Sequence, residues 1–227
     1  MSLESRVPLV LLGALLGLDV VSFPQAMISR PLVAATLAGW VVGVPENGLM
    51  AGAALELIAL ETLPFGASRY PEWGSAAVVG GALFASQPTG RAGALTLAVL
   101  AALATAWVGG GSMVVLRHLN ARLARAARLD VDAGSWPAVR QLMLGGIALD
   151  LLRGALITLV GLLLLVPVMQ AAIGGWTLGQ GVSRAAAVTM LAAVAVAACW
   201  KLYHGSTTAS WLFAGGLVAG LLLLTLR

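Results

Sequence analysis

Several stretches of this chain carry no charged side chain, among them residues 92–116, 154–183, 185–200 and 202–226. A helix needs roughly 20 apolar residues to cross a bilayer, and most of these runs are long enough. Overall, 60% of residues are hydrophobic and only 10% are charged, whereas a soluble domain is about 45–50% apolar and about 25% charged. The chain therefore reads as an all-α, polytopic membrane protein. The apolar run 7–18 is followed by Asp19 without a small-residue cleavage site, so it reads as a retained membrane segment and not a signal peptide.

Charge divides the chain in two. Six of the nine acidic residues lie within the first 72 positions, and five of the twelve arginines lie in 117–140. The positive-inside rule puts that basic segment in the cytoplasm. Arg117, Arg122, Arg125 and Arg128 fit a helix on a membrane surface or an extension of the preceding span, serving topology or the docking of a cytoplasmic partner. The net charge of +4 follows from basic residues at helix ends and does not point to nucleic acid.

Helical segments are expected near 7–28, 31–44, 47–63, 74–87, 92–116, 139–168, 184–202 and 209–226. The early segments are short and are interrupted by Gly39, Gly43, Pro45, Gly48, Pro64, Gly66 and Pro71. Residues 31–44 would span about 21 Å as a helix, less than the roughly 30 Å hydrocarbon core. Short, Gly/Pro-broken segments point to re-entrant hairpins and transporter binding sites. The later spans are longer. There Gly145-Gly146 and Gly174-Gly175 are candidates for close helix contacts or bends, and Pro167 should kink or end its helix. The expected layout is a broken-helix substrate region over 1–90, a span over 91–116, a basic cytoplasmic loop over 117–140, and scaffold and partner-facing helices over 141–227.

Ionisable groups inside spans are costly and usually face a cavity or a partner. Asp150 and Arg153, three apart, share a helix face; they satisfy each other as an ion pair or act in gating. Glu56 has no basic residue within a turn and follows four small residues. It either accepts hydroxyl hydrogen bonds from a sugar, pairs with a distant arginine such as Arg30, or is protonated by burial. Glu61 lies about 140° around the helix from Glu56. Asp19 and Gln25 flank Pro24 and line a cavity if the chain breaks there, or Asp19 caps the next helix. Arg30 before Pro31 marks a helix start. Cys199 reads as a small hydrophobe. His118 and His204 are far apart, and no metal-ligand spacing, Walker-type loop or hydrolase motif is present.

The run from Arg30 to Glu72 resembles the IIC membrane component of the mannose/fructose/sorbose branch of the bacterial phosphotransferase system. The matching residues are Arg30-Pro31-Leu32-Val33, Gly39, Gly43, Gly48, Gly52, Glu56-Leu57, Leu60, Gly66-Ala67 and Pro71-Glu72. The chain differs from the family pattern at Val44, Glu61 and Pro64, and Arg69 and Tyr70 add bulk. The resemblance implies one half of a sugar transporter of the bacterial cytoplasmic membrane, working with a separate IID membrane subunit in a hetero-oligomer. A hexose would be carried inward by an elevator-like movement. Cytoplasmic IIA and IIB proteins would relay a phosphoryl group from phosphoenolpyruvate, with no cofactor and no phosphorylated residue on this chain. Carried onto these positions, the sugar site comprises Glu56, Gly66, Ala67 and Ser68, then Asp19 and Gln25. Arg30, Pro31, Glu72, Asp150 and Arg153 take structural or gating roles. Two other readings stand beside it. One is an ion-coupled secondary transporter with Glu56 or Glu61 as proton carrier. The other is a membrane scaffold that recruits phosphotransferase proteins through 117–140.

Overall fold

The computed structural model describes residues 3–20, 22–61, 69–203 and 207–225, and every regular element among them is helical. The elements are α1 (Leu3–Asp19), α2 (Pro31–Val42), α3 (Pro45–Glu61), α4 (Trp73–Ala85), α5 (Ala94–Ala126), α6 (Arg128–Asp132), α7 (Trp136–Gly174), α8 (Gln180–Tyr203) and α9 (Thr207–Thr225). Among the described residues, α5, α7 and the first 20 residues of α8 are long and apolar enough to cross a membrane. The chain is thus a multi-pass membrane protein. Helices α2 and α4, with 12 and 13 residues, reach only about 18–20 Å at 1.5 Å per residue.

Two expectations from sequence need correction, and a third is narrowed. The first helix ends at Asp19, not near residue 28, because the chain turns at Pro24, with Gln25 and Met27 at φ of 57° and 61°. The segment 117–140, laid out as a loop, is mostly helix: α5 continues through Arg125, as the helical-extension reading of its arginines has it, and is followed by α6. Helix α7 runs through Pro167 to Gly174, so of the two outcomes expected at Pro167, a kink or an end, the helix does not end there.

Backbones approach closely where glycines face neighbouring helices. In the α2–α3 hairpin, a Cβ on Gly39 would sit 2.7 Å from the Gly48 Cα, and one on Gly52 would sit 2.9 Å from the Leu32 carbonyl. Gly43 closes α2 in the left-handed region (φ 97°) and donates to Gly39 and Trp40 carbonyls, a glycine C-cap. Helix α1 packs antiparallel on α7, with Gly13 against Thr158 and Gly17 against Gly154. In α4, Gly81 meets Ala35 of α2 and Gly80 meets Ala98 and Ala102 of α5. The result is a small-residue core containing Ala34, Ala35, Ala38, Ala51, Ala77 and Ala102, as expected where lipid gives no hydrophobic drive between helices. Large apolar side chains face outward, including Leu11, Leu15, Trp107, Leu156 and Leu164.

The glycine pairs singled out in the second half do not make such contacts. Added Cβ atoms on Gly145 and Gly174 would meet nothing within 4 Å, and one on Gly146 would reach only Asn120 at 3.8 Å.

Gly48→Ala should therefore destabilise the isolated protein by roughly 1–3 kcal/mol, as overpacking against backbone does, because its Cβ would collide with the Ala35 carbonyl and with Gly39. Gly145→Ala, with open space around it, should be neutral or slightly stabilising. Thermal unfolding of the two variants in detergent checks this contrast.

Candidate functional site

The ends of the short helices meet around the break between α1 and α2. Asp19, the last residue of α1, is buried and accepts backbone N–H bonds from Ala26 (2.7 Å) and Ser29 (2.9 Å). These two bonds hold the turn that carries Gln25 and Met27 through left-handed backbone, a conformation uncommon for residues with a Cβ. The turn delivers Arg30 as the residue capping α2, with Pro31 in its first turn. Proline costs nothing there, because the N–H it lacks has no helical partner.

Glu56 projects from α3 onto the same helix start. One carboxylate oxygen is ion-paired with Arg30 Nη2, and the other accepts the Leu32 backbone N–H at 3.2 Å. Of the three readings of Glu56 from sequence, pairing with Arg30 is the arrangement in the structure. A carboxylate near a helix N-terminus is also favoured by the helix dipole.

Beside this pair lies a cavity of about 220 Å³, lined by Asp19, Gln25, Ser29, Arg30, Pro31, Ala59, Tyr70, Pro71 and Trp73 among others. Drug-sized ligand pockets run roughly 300–1,000 Å³, so this one suits a single small polar molecule. Asp19, Gln25, Arg30 and Pro31, expected at the site from sequence, share this wall; Glu56 does not line it and reaches it through Arg30. Gly66, Ala67 and Ser68 lie outside the described residues, as does the side chain of Glu61. Sequence reasoning missed Trp73 and Ser29 and treated Tyr70 only as added bulk. The available signal was two aromatics bracketing Pro71-Glu72, next to a proline-broken segment.

A buried ionic cluster lies behind the cavity. Arg153 donates from Nε to Asp150 Oδ1 (2.8 Å), from Nη2 to the Gly17 carbonyl (3.1 Å) and from Nη1 to Ser112 Oγ (3.5 Å). Its Nη1 lies 3.9 Å from Glu72 Oε2. Ser22, in the turn after α1, donates to the second oxygen of Asp150. Glu72 is fully buried and caps α4 by accepting the Ser75 N–H at 3.0 Å, while its own N–H donates to the Ala106 carbonyl at 2.9 Å. Ala106 lies about 18 Å along α5 from Ala94 at 1.5 Å per residue, so these ends meet within the depth of a hydrocarbon core about 30 Å thick. The intrahelical Asp150–Arg153 pair is formed, and Glu72 joins it from a different helix. On the outer side, Arg69 stacks on Trp107 at 4.6 Å and bonds its carbonyl at 3.2 Å.

Short helices whose ends meet at a polar cavity inside the membrane depth, flanked by long spans, define a broken-helix polytopic membrane protein. Residues 6–226 match the family model EII-Sor, described as the PTS system sorbose-specific IIC component, and the chain belongs to that family. This agrees with the resemblance carried by Arg30 to Glu72. The chain is 28% identical over 166 residues to the fructose permease IIC component of Bacillus subtilis (strain 168), covering 73% of this chain and 60% of that protein. It is 28% identical over 127 residues to the PTS system mannose-specific EIIC component of Escherichia coli (strain K12), covering 56% and 46%. The matches therefore span about half to three-fifths of these relatives' length. Among solved structures, one described as a membrane protein aligns with a TM-score of 0.68 at 22% identity, covering 99% of this chain and 95% of the other. The mannose transporter ManYZ in complex with microcin E492 aligns with a TM-score of 0.62 at 19% identity, covering 97% and 87%. These two likenesses establish the fold.

Arg153→Met should destabilise the protein by about 3–5 kcal/mol, because it strands Asp150 and Glu72 as buried carboxylates without their cation. Arg153→Met combined with Glu72→Gln and Asp150→Asn should recover part of that loss. Thermal unfolding in detergent measures both.

Proposed function

We propose that this chain is the sugar-translocating IIC subunit of a phosphoenolpyruvate-dependent phosphotransferase transporter in the bacterial cytoplasmic membrane. It carries a hexose-type sugar inward together with a IID membrane subunit. Family membership and the fold support this reading. The observation that carries it is the cavity that gathers Asp19, Gln25 and Arg30 beside Tyr70 and Trp73 within the membrane depth.

In this reading the cavity holds one sugar. A carboxylate has about four lone-pair sites and a guanidinium five N–H donors. Asp19 already accepts two backbone N–H groups, and its remaining capacity takes sugar hydroxyls. Arg30 is fixed by Glu56 and turns its other donors to sugar oxygens. The apolar faces of Tyr70 and Trp73 pack on the sugar ring, as amphipathic aromatics do. Gly66, Ala67 and Ser68 complete the site from the segment preceding Arg69. Residues 1–90 act as the substrate-binding region, with 91–116 and 141–227 as scaffold and partner-facing helices. The basic segment 117–140 lies in the cytoplasm, where IIB docks. IIA and IIB relay the phosphoryl group from phosphoenolpyruvate, and this chain contributes no phosphorylated residue. Glu72, Asp150 and Arg153 hold the broken helix ends in register during gating.

A second reading, ion-coupled transport, draws on the buried cluster, where two carboxylates share one guanidinium. Uptake that collapses with an uncoupler and delivers unphosphorylated sugar would favour it.

The test is uptake in cells carrying the full set of partner proteins. Arg30→Gln should lower sugar affinity by roughly tenfold or more, the effect of losing a charge-assisted hydrogen bond of about 1.5–3 kcal/mol, and Glu56→Gln should lower it too by releasing Arg30 from the ion pair that fixes it. Membrane levels of the protein should be unchanged. Wild-type sugar binding in both variants would count against this site.

A further inference from the structure

A second and larger cavity lies at the other end of α3 and α4. Its volume is about 430 Å³, and it is bounded by the starts of α3, α5 and α8 and the end of α4. We propose that this groove binds an anionic phospholipid, with the phosphodiester held by Arg91 and Arg184 and an acyl chain lying along the apolar floor.

The groove has a chemically divided wall. Its floor includes Met50, Phe84, Leu95, Ala187, Val188 and Leu191. At its mouth stand Arg91, just before α5, and Arg184, in the second turn of α8. Both arginines are exposed, and neither is ion-paired with a carboxylate among the described residues. The lining contains no Asp or Glu. Two guanidinium groups above an apolar trough form a complement to one phosphate carrying a hydrocarbon tail. An interfacial arginine attracts an anionic headgroup by charge, and arginine donors match phosphate geometry.

The mouth is held in place by the fold. Gln180 donates from Nε2 to the Gly90 carbonyl at 2.8 Å, which joins the start of α8 to the turn before α5. Gly90 and Gly93 both have φ of 76°, and Trp176 lies over Gly93 so closely that a Cβ there would collide with the indole ring. The same indole donates to Ser183 Oγ at 2.8 Å. Arg91 and Arg184 are therefore carried on two backbone segments fixed to each other.

The depth also suits a headgroup. Arg91 precedes the uncharged run 92–116 by one residue, so it sits where that span leaves the hydrocarbon, at the end opposite the basic segment 117–140. Helix α8 packs mainly on α3, and a lipid in the groove would fill the space between α8 and the start of α5.

The full-length protein, purified in mild detergent, is offered phosphatidylglycerol or phosphatidylcholine with identical acyl chains, and retained lipid is counted by native mass spectrometry. Wild type should retain phosphatidylglycerol on the order of tenfold better, as two interfacial arginines imply. Arg91→Gln with Arg184→Gln should bring that preference close to unity. Val188→Trp, which fills the floor and keeps both arginines, should lower retention of phosphatidylglycerol. Equal retention of both lipids by wild type would overturn the proposal. So would an undiminished preference in the double variant, or loss of the bound lipid when the membrane partner subunit is present.

Discussion

One guanidinium ties four helices together. Arg153 is almost fully buried on α7, and each of its nitrogens has a partner: Asp150 on its own helix, the Gly17 carbonyl of α1 and Ser112 of α5, with Glu72 of α4 within ion-pair reach. A charge at this depth costs at least about 2.5–3.5 kcal/mol by insertion scales, so it persists only with such partners. The glycines around it belong to the same construction. A Cβ on Gly109 would lie 2.9 Å from Glu72 Cβ and 3.1 Å from its Oε2, and one on Gly17 would lie 2.9 Å from Ser75 Oγ. Small residues bring the backbones close enough for one side chain to bridge them, and the bridge in turn fixes the depth at which α1 stops and α4 begins.

Much of this was legible in local sequence. The Asp150–Arg153 pair follows from i,i+3 spacing, which places both on one helix face. The shortness of α2 and the turn at Gly43 follow from glycine and proline positions, and Arg30-Pro31 marks the start of α2. What sequence could not supply was the partner from another segment. Glu72 reads only as an acidic residue after a proline, and nothing near it shows that it faces Arg153, 81 positions on. For Glu56 the distant partner Arg30 stands among the sequence alternatives, and folding of the α2–α3 hairpin, which brings positions 26 apart together, selects it. Glycine pairs mislead for the same reason. Gly145-Gly146 looks like a contact motif, but which face meets a neighbour is decided by packing, and close approach falls instead at Gly13, Gly48, Gly74 and Gly81. The extent of α5 was underestimated because charged residues ended the apolar run but not the helix. Arginine is a good helix former, so α5 continues past the membrane-like segment.

The placement of so many costly side chains in a greasy region has a single physical cause. A helix that stops within the membrane leaves unpaired N–H groups at its start and unpaired carbonyls at its end, and no water is present in lipid to satisfy them. In this chain two carboxylates answer helix-start N–H groups, Glu56 that of Leu32 and Glu72 that of Ser75, while Asp19 takes the N–H groups of Ala26 and Ser29 in the turn between α1 and α2. Arg153 answers a carbonyl at the end of α1. Glu56 and Glu72 at helix starts and Arg153 at the end of α1 also follow the helix dipole, whereas Asp19 ends α1 and is held by the turn that follows it. The charges are thus required by the breaks before any ligand is considered, and the breaks are what open a polar cavity between helices. A carboxylate that caps one or two N–H groups still has lone pairs unused, and a guanidinium paired once still has donors unused. The residues that make a broken helix tolerable in lipid are therefore the same residues that equip its cavity to bind a polar molecule.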